Sequence, residues 1–212
     1  MLQTLANLLL TWESVAVVCA LAYLVLAIRE HLACWGFALA STAIYSVLFF
    51  NVSLVMDSLL NLYYMVLAIY GWWVWQRPQD STHQALRVHR FTAQQHALAI
   101  GLTLLATLLA GSFLNRFSSA AWPYVDSFTT FGSVITTWMV ARKVLENWLY
   151  WIVIDAVAIP LYIERGLPLT AALFTVYLVL CVQGFQRWRR QLAADKSQNP
   201  LVAPNRDAGV LG

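Results

Sequence analysis

Long apolar stretches dominate the chain and are separated by short polar connections. Seven such stretches can be marked, at 11–28, 33–52, 58–75, 96–113, 124–141, 147–163 and 169–185. Each is about as long as a helix that crosses the hydrocarbon core of a bilayer, which needs roughly 20 residues. The pattern therefore predicts an all-α membrane protein with seven transmembrane helices.

Composition supports the same class. Hydrophobic residues make up 60% of the 212 residues and charged residues only 11%, which is too little polar surface to cover a soluble globule. The lipid bilayer is therefore the expected surrounding. The first residues, MLQTLANLLLTWES, lack the basic start and the cleavage site of a removable signal peptide, so we expect the first helix to stay.

The distribution of cations predicts an orientation. If the amino terminus lies outside, the connections on that side carry only Arg116 and Arg165. The other eleven of the thirteen Lys and Arg residues fall on the opposite side. The positive-inside rule then places the amino terminus outside and the carboxyl terminus in the cytoplasm. We interpret the basic side as a cytoplasmic membrane face, without nucleic acid as a partner. Residues 191–212 are expected to form a disordered cytoplasmic tail.

The chain matches itself when it is shifted so that position 13 falls on position 126, a shift that we call the repeat offset. The matched pairs include Trp, Gly and Arg residues and are Glu13/Asp126, Ser14/Ser127, Arg29/Arg142, Trp35/Trp148, Tyr64/Tyr177, Gly71/Gly184, Trp75/Trp188 and Arg77/Arg190. The repeat offset carries the first three helices onto the last three, which predicts a parallel 3+1+3 repeat. We expect one repeat with its cytoplasmic connection at 1–95, a connector helix and outer loop at 96–123, and a second repeat at 124–190.

A parallel repeat of this kind is a transporter device, with substrate bound near the midplane between the halves. A duplicated helical hairpin without any transport role is the alternative.

One carboxylate interrupts an apolar segment, and it is the strongest candidate for a functional residue. Asp155 lies about eight residues into NWLYWIVIDAVAIPLYIERG, so it is expected roughly 12 Å deep, where a charge is costly and needs partners. Trp148 and Trp151 share its helical face. Trp148 also suits the aromatic belt of the membrane interface, and Trp151 suits ligand contact and packing equally. A purely structural acid is the alternative for Asp155.

Two further helices carry polar stripes. Helix 3 offers Asp57, Asn61 and Tyr64, and helix 5 offers Asp126, Thr130, Ser133 and Thr137, at spacings that place each set on one face. Hydroxyl groups in membrane helices often bond their own backbone, which is the alternative interpretation for any single Thr. Four polar residues on one face of helix 5 predict that this face lines the interior of the bundle.

Several kinds of chemistry are not indicated. The histidines form no HxxxH or HExxH pair and the three cysteines form no CxxC, so we predict no metal and no cofactor. No P-loop and no catalytic cluster occur, so the chain is not predicted to be an enzyme. No Lys or Arg falls in the middle of a predicted helix, so the interior suits a hydroxylated solute with a flat ring and without a phosphate.

The run VDSFTTFGSVITTWMVARKVLENWLYWIVIDAVAIPLYIERGLPLTAALFTVYLVL, together with NLYY and YGWWVW in helix 3, resembles the PnuC family of bacterial nicotinamide riboside transporters. The resemblance implies a SWEET-like fold in the bacterial inner membrane. It implies uptake of the NAD precursor nicotinamide riboside by facilitated diffusion, followed by trapping through a cytoplasmic riboside kinase. The oligomeric state stays open, although homo-oligomers are common among small transporters.

The resemblance also implies which residues contact the substrate. They are Asn61, Tyr64, the polar face of helix 5 with Thr130 and Ser133, Trp151, Asp155 and Tyr177. Asn61 stands where relatives are expected to have Gln, and Ala68 where some have Asn, so the vitamin stays open. A transporter of thiamine or riboflavin on the same fold is the alternative, and a membrane-embedded enzyme or accessory subunit is a second one.

Overall fold

Seven helices account for almost all of the described residues. The structure is a computed structural model, and it describes residues 2–51, 55–76, 86–117, 122–164 and 168–198. The helices are α1 (Leu2–Ile28), α2 (Cys34–Asn51), α3 (Val55–Trp75), α4 (Ala93–Phe117), α5 (Pro123–Ala141), α6 (Asn147–Glu164) and α7 (Pro168–Gln198). The prediction of an all-α chain with seven helices is therefore confirmed.

The helix ends differ from the predicted ones mainly at the two termini. α1 begins at Leu2 rather than at residue 11, and α7 continues to Gln198 rather than ending at residue 185. The first part of the expected disordered tail, 191–198, is thus helical, and the boundary at 191 is too early. Hydropathy marks the part of a helix that suits lipid, whereas Arg, Gln, Leu and Ala favour helix in water as well. Residues 199–212 lie outside the described residues.

Among the described residues, one helix, Ala93–Phe117, is long and apolar enough to cross a membrane. Shorter apolar helical segments occur at Ser14–Ile28, Cys34–Leu48 and Asn147–Leu161.

The helices pack in two groups of three. α2 packs against both α1 and α3, α6 packs against both α5 and α7, and α4 lies on α5. The groups meet along two seams, one between α3 and α5 and the other between α1 and α7. Trp75 Nε1 donates to the Ala141 carbonyl across the first seam at 3.0 Å, and Trp188 Nε1 donates to the Ala27 carbonyl across the second at 3.2 Å.

The turns that follow α1 and α5 have the same geometry. Glu30 and Lys143, which are related by the repeat offset, both take a left-handed conformation, with φ of 54° and 55°. Their amides donate to the carbonyls of Ala27 and Val140 at 3.0 and 2.9 Å. The two side chains also form an ion pair of 2.8 Å between Lys143 Nζ and Glu30 Oε2, so the turns are joined to each other.

Each group contains a tryptophan that packs on a glycine. Trp148 lies against Gly184, where an added Cβ would come within 2.7 Å of the ring, and Trp35 lies in the same way against Gly71. The ring of Trp148 meets Trp188 edge-on at 5.2 Å. Both glycines therefore permit an approach of helices that a side chain would prevent.

We expect Gly71→Ala and Gly184→Ala each to destabilise the protein by about 1–3 kcal/mol, because the new methyl group overlaps a buried tryptophan ring. Gly101→Ala in α4 is the matched control, since a Cβ there meets no atom within 4 Å. That change should be neutral or stabilising by about 0.5–1 kcal/mol through helix propensity. Thermal unfolding in detergent, followed by circular dichroism, measures all three. Equal stability of the three variants would contradict the packing described.

Candidate functional site

A buried carboxylate lies at the middle of α6. Asp155 is 2% exposed although its helix is otherwise apolar. The thiol of Cys181 on α7 donates to Asp155 Oδ2 over 3.9 Å, which is a weak bond for a carboxylate. Within the described residues no Lys or Arg forms an ion pair with this acid. A buried acid with so weak a partner is suited to bind a polar or cationic group.

Tyrosines of several helices lie near this carboxylate or near its neighbours Cys181 and Tyr177. Tyr177, one turn before Cys181 on α7, lies within electrostatic range of Asp155, Cys181 and Tyr45 of α2. Tyr23 of α1 lies within the same range of Cys181 and of Tyr64 of α3. Helices of both groups thus contribute acid, thiol or phenol to one region of the interior.

The structure therefore brings three of the predicted site residues into this region, namely Tyr64, Asp155 and Tyr177. Asn61 is 9% exposed and lies one turn before Tyr64, on the same face of α3. The side chain of Asp57 lies outside the described residues. We call this set, with Tyr23, Tyr45 and Cys181, the acid–tyrosine region.

The two predicted tryptophans of α6 occupy different surroundings. Trp151 is half-buried, packs against the hydrophobic core and lies about one turn from Asp155. Trp148 is 1% exposed and is enclosed by Gly184 and Trp188. At two turns' distance along the helix it lies roughly 10 Å from Asp155. The structure thus places Trp148 in the packing between α6 and α7.

The polar face of α5 is only partly as expected. Thr130 and Ser133 are half-buried. Thr137 donates its hydroxyl to the carbonyl of Ser133 at 2.8 Å, which is the alternative foreseen for a membrane threonine. Two other hydroxyl residues, Ser127 and Thr136, are the buried ones, and within the described residues their hydroxyl groups have no hydrogen-bond partner.

Sequence reasoning missed Tyr23, Tyr45 and Cys181. The cysteines were considered only as metal or cofactor ligands, whereas Cys181 is buried and contacts Asp155. Its position one helical turn after Tyr177 was an available signal, because it places both on one face of α7. A tyrosine hydroxyl within an apolar helix was a similar signal for Tyr23 and Tyr45.

The two cations that follow α5 have partners outside the acid–tyrosine region. Arg142 and Lys143 follow the end of α5, where Arg142 Nη1 donates to the Tyr70 hydroxyl at 3.3 Å and Lys143 pairs with Glu30. Among the described residues, no group of three His, Cys, Asp or Glu could hold a metal ion. The region thus offers one acid, phenols, an amide and aromatic faces, which can bind a flat hydroxylated solute with a positive charge.

Comparison with known proteins supports a transport role. The family model described as "Nicotinamide mononucleotide transporter" matches residues 10–190. The nicotinamide riboside transporter PnuC of Escherichia coli is 23% identical over 205 residues, covering 84% of this chain and 85% of the relative. The riboflavin/roseoflavin transporter RibM of Streptomyces davaonensis is 25% identical over 126 residues, or 58% of this chain and 59% of the relative.

A solved structure has the same fold. The crystal structure of the vitamin B3 transporter PnuC aligns with a TM-score of 0.68 at 22% sequence identity, over 86% of this chain and 82% of that one.

The family match defines an integral membrane transporter of bacterial type, not an enzyme. The chain belongs to the nicotinamide mononucleotide transporter family, as its match over residues 10–190 shows.

Proposed function

We propose that this protein takes up nicotinamide riboside across the bacterial inner membrane by facilitated diffusion. The observation that carries the proposal is the buried Asp155, which has no paired cation among the described residues and lies near Tyr177 and Cys181. Nicotinamide riboside offers a cationic pyridinium ring and ribose hydroxyl groups. An acid and aromatic faces attract the ring, and phenols and amides bond the hydroxyl groups.

Each residue of the site takes a role by its chemistry. Asp155 accepts hydrogen bonds from the ribose or faces the pyridinium charge, and Trp151 supplies a stacking face. Tyr64, Tyr177 and Asn61 bond the remaining polar groups of the solute. Thr130 and Ser133 line the route along α5. Trp148 contributes by its packing on Gly184, which holds α6 and therefore Asp155 in place.

Riboflavin is the second candidate, because RibM is a riboflavin/roseoflavin transporter and is similar over 58% of this chain. Competition with labelled nicotinamide riboside in proteoliposomes tests both. Unlabelled riboside should abolish uptake of the label, whereas thiamine and riboflavin should leave it unchanged. Stronger competition by riboflavin than by the riboside would replace the proposed substrate.

We also propose that α1–α3 and α5–α7 are parallel repeats joined by α4, in a SWEET-like arrangement. Support comes from structural features that recur at the repeat offset. They are the left-handed turns at Glu30 and Lys143 and the glycines packed by tryptophan at Gly71 and Gly184. Gly71→Ala and Gly184→Ala test whether the two helix groups are equivalent, because both variants should lose stability to a similar extent.

The amino terminus is proposed to lie outside and the carboxyl terminus in the cytoplasm, as the eleven-to-two distribution of cations supports. After replacement of Cys19, Cys34 and Cys181, a cysteine introduced near residue 55 should react with an impermeant thiol reagent added outside. A cysteine near residue 81 should not react. The reverse pattern would invert the orientation.

A riboside kinase in the cytoplasm is the proposed functional partner. Facilitated diffusion by itself only equalises the concentrations of a solute. Phosphorylation inside would convert the riboside into an anion that the acidic interior does not accept, and uptake would then have a direction.

A further inference from the structure

The two seams between the helix groups differ at the end where α1 and α5 finish. A cavity of about 320 Å³ lies between the last turn of α1 and the middle of α7. Its lining residues are Val25, Ile28, Arg29, Leu180, Gln183, Gln186, Arg187 and Arg190. We call this cavity the arginine groove.

The seam between α3 and α5 has aromatic residues at the corresponding positions. By the repeat offset, Val25, Gln183 and Gln186 correspond to Trp138, Tyr70 and Trp73. Arg142, the counterpart of Arg29, donates to the Tyr70 hydroxyl at 3.3 Å. The residues at these positions of the one seam are therefore aromatic, whereas Val25, Gln183 and Gln186 line the groove at the other.

The cations of the groove have no bonding partner within the described residues. Arg29, Arg187 and Arg190 are exposed, and within the part of the chain that the structure describes none of them has an ion pair or hydrogen bond. Arg187 and Arg190 lie on one face of α7, because they are separated by nearly one helical turn. Three guanidinium groups around one cavity attract a phosphate, which arginine binds through paired hydrogen bonds.

The lining changes from apolar to cationic along both helices. On α1 the order is Val25, Ile28 and then Arg29, and on α7 it is Leu180 and the glutamines, then the arginines. An anionic phospholipid has the same order, because its acyl chains lie in the hydrocarbon and its phosphate lies at the interface. Basic pockets between membrane helices are known to bind such headgroups.

We propose that the arginine groove is a binding site for the phosphate headgroup of an anionic phospholipid. Arg29, Arg187 and Arg190 bond the phosphate oxygens, Gln183 and Gln186 donate to the remaining headgroup oxygens, and acyl chains lie along Val25 and Leu180. The lipid would bridge α1 and α7, and therefore the two helix groups, at one seam only. The proposal is independent of which solute the protein transports.

Native mass spectrometry of the whole protein in detergent tests the proposal, with phosphatidylglycerol or phosphatidylcholine added. Phosphatidylglycerol should bind more tightly. Arg187→Gln and Arg190→Gln should each weaken its binding about fivefold, the effect of removing one cation near an anionic lipid. Arg189→Gln is the matched control, because it removes the same charge from the same helix but does not line the groove. It should leave the affinity unchanged.

A second variant tests the shape of the arginine groove without changing its charge. Gln186→Trp copies the residue found at the corresponding position of the other seam and removes no charge. It should fill the groove and reduce binding of phosphatidylglycerol as strongly as loss of an arginine. An unchanged unfolding temperature shows that each variant is folded.

Three outcomes would overturn the proposal. The first is equal binding of the two lipids. The second is equal affinity of the groove variants and Arg189→Gln for phosphatidylglycerol. The third is displacement of the lipid by inorganic phosphate at similar concentration, which would identify a site for a soluble phosphate instead.

Discussion

Nicotinamide mononucleotide should fail to compete with labelled nicotinamide riboside, with binding weaker by at least about 3 kcal/mol, or more than a hundredfold. A phosphate beside Asp155 would meet a carboxylate at close range without a cation to pair with it. Burying an unpaired anion costs several kcal/mol. The described Lys and Arg residues lie at helix ends, in connections or in the second half of α7.

The measurement is the proteoliposome competition assay with the mononucleotide as one more competitor. The result is informative because the family's description names nicotinamide mononucleotide. The relatives from Escherichia coli and Neisseria mucosa are instead named for nicotinamide riboside. The unlabelled riboside serves as the positive control and liposomes without protein as the blank. Equal competition by the two compounds would show that a cation reaches the site, and Arg29, Arg142 and Lys143 would be the first residues to test.

Trp151→Ala and Asp155→Asn should each weaken binding of nicotinamide riboside by about 1–3 kcal/mol. Alanine at 151 removes the stacking face, and asparagine at 155 removes the charge while keeping the shape of the side chain. Titration calorimetry with purified protein in detergent measures both affinities.

Each variant has a matched control. Trp12→Ala removes a tryptophan that is 50% exposed on α1, and Asp195→Asn removes a carboxylate near the end of α7. Both controls should bind the riboside normally. If well-folded Trp151→Ala and Asp155→Asn also bound normally, the acid–tyrosine region would not be the substrate site, and Asp155 would be a structural acid.

The position of each helix along the chain could be predicted because it is a local property. Apolar length gave seven helices, and the carboxyl-terminal ends of α1 to α6 lie within about one helical turn of the predicted ones. α7 is the exception, since hydropathy falls after residue 185 while helix propensity does not. The burial of Asp155 also followed from the cost of a charge inside an apolar segment.

The rotation of each helix and the choice of its neighbours could not be predicted in the same way. On α5 the sequence favoured a lining formed by Thr130, Ser133 and Thr137, but Thr137 bonds its own backbone and Thr136 is the buried hydroxyl residue. Similarly, Trp148 shares a face with Asp155, yet the close approach of Gly184 encloses its ring. These outcomes depend on the shape of neighbouring helices, which no local pattern contains.

The sequence by itself determined the class of protein, the number of helices, the pairs related by the repeat offset and the acid at the centre of α6. Each of these follows from hydropathy, from self-comparison or from the energetic cost of one charge in lipid. Only the tertiary structure decided that Cys181 contacts Asp155, that Tyr23 and Tyr45 lie near Cys181 and Tyr177, and that a cavity lies at the seam between α1 and α7. The physical reason is that these contacts join residues of different helices, so they depend on how all seven helices pack together.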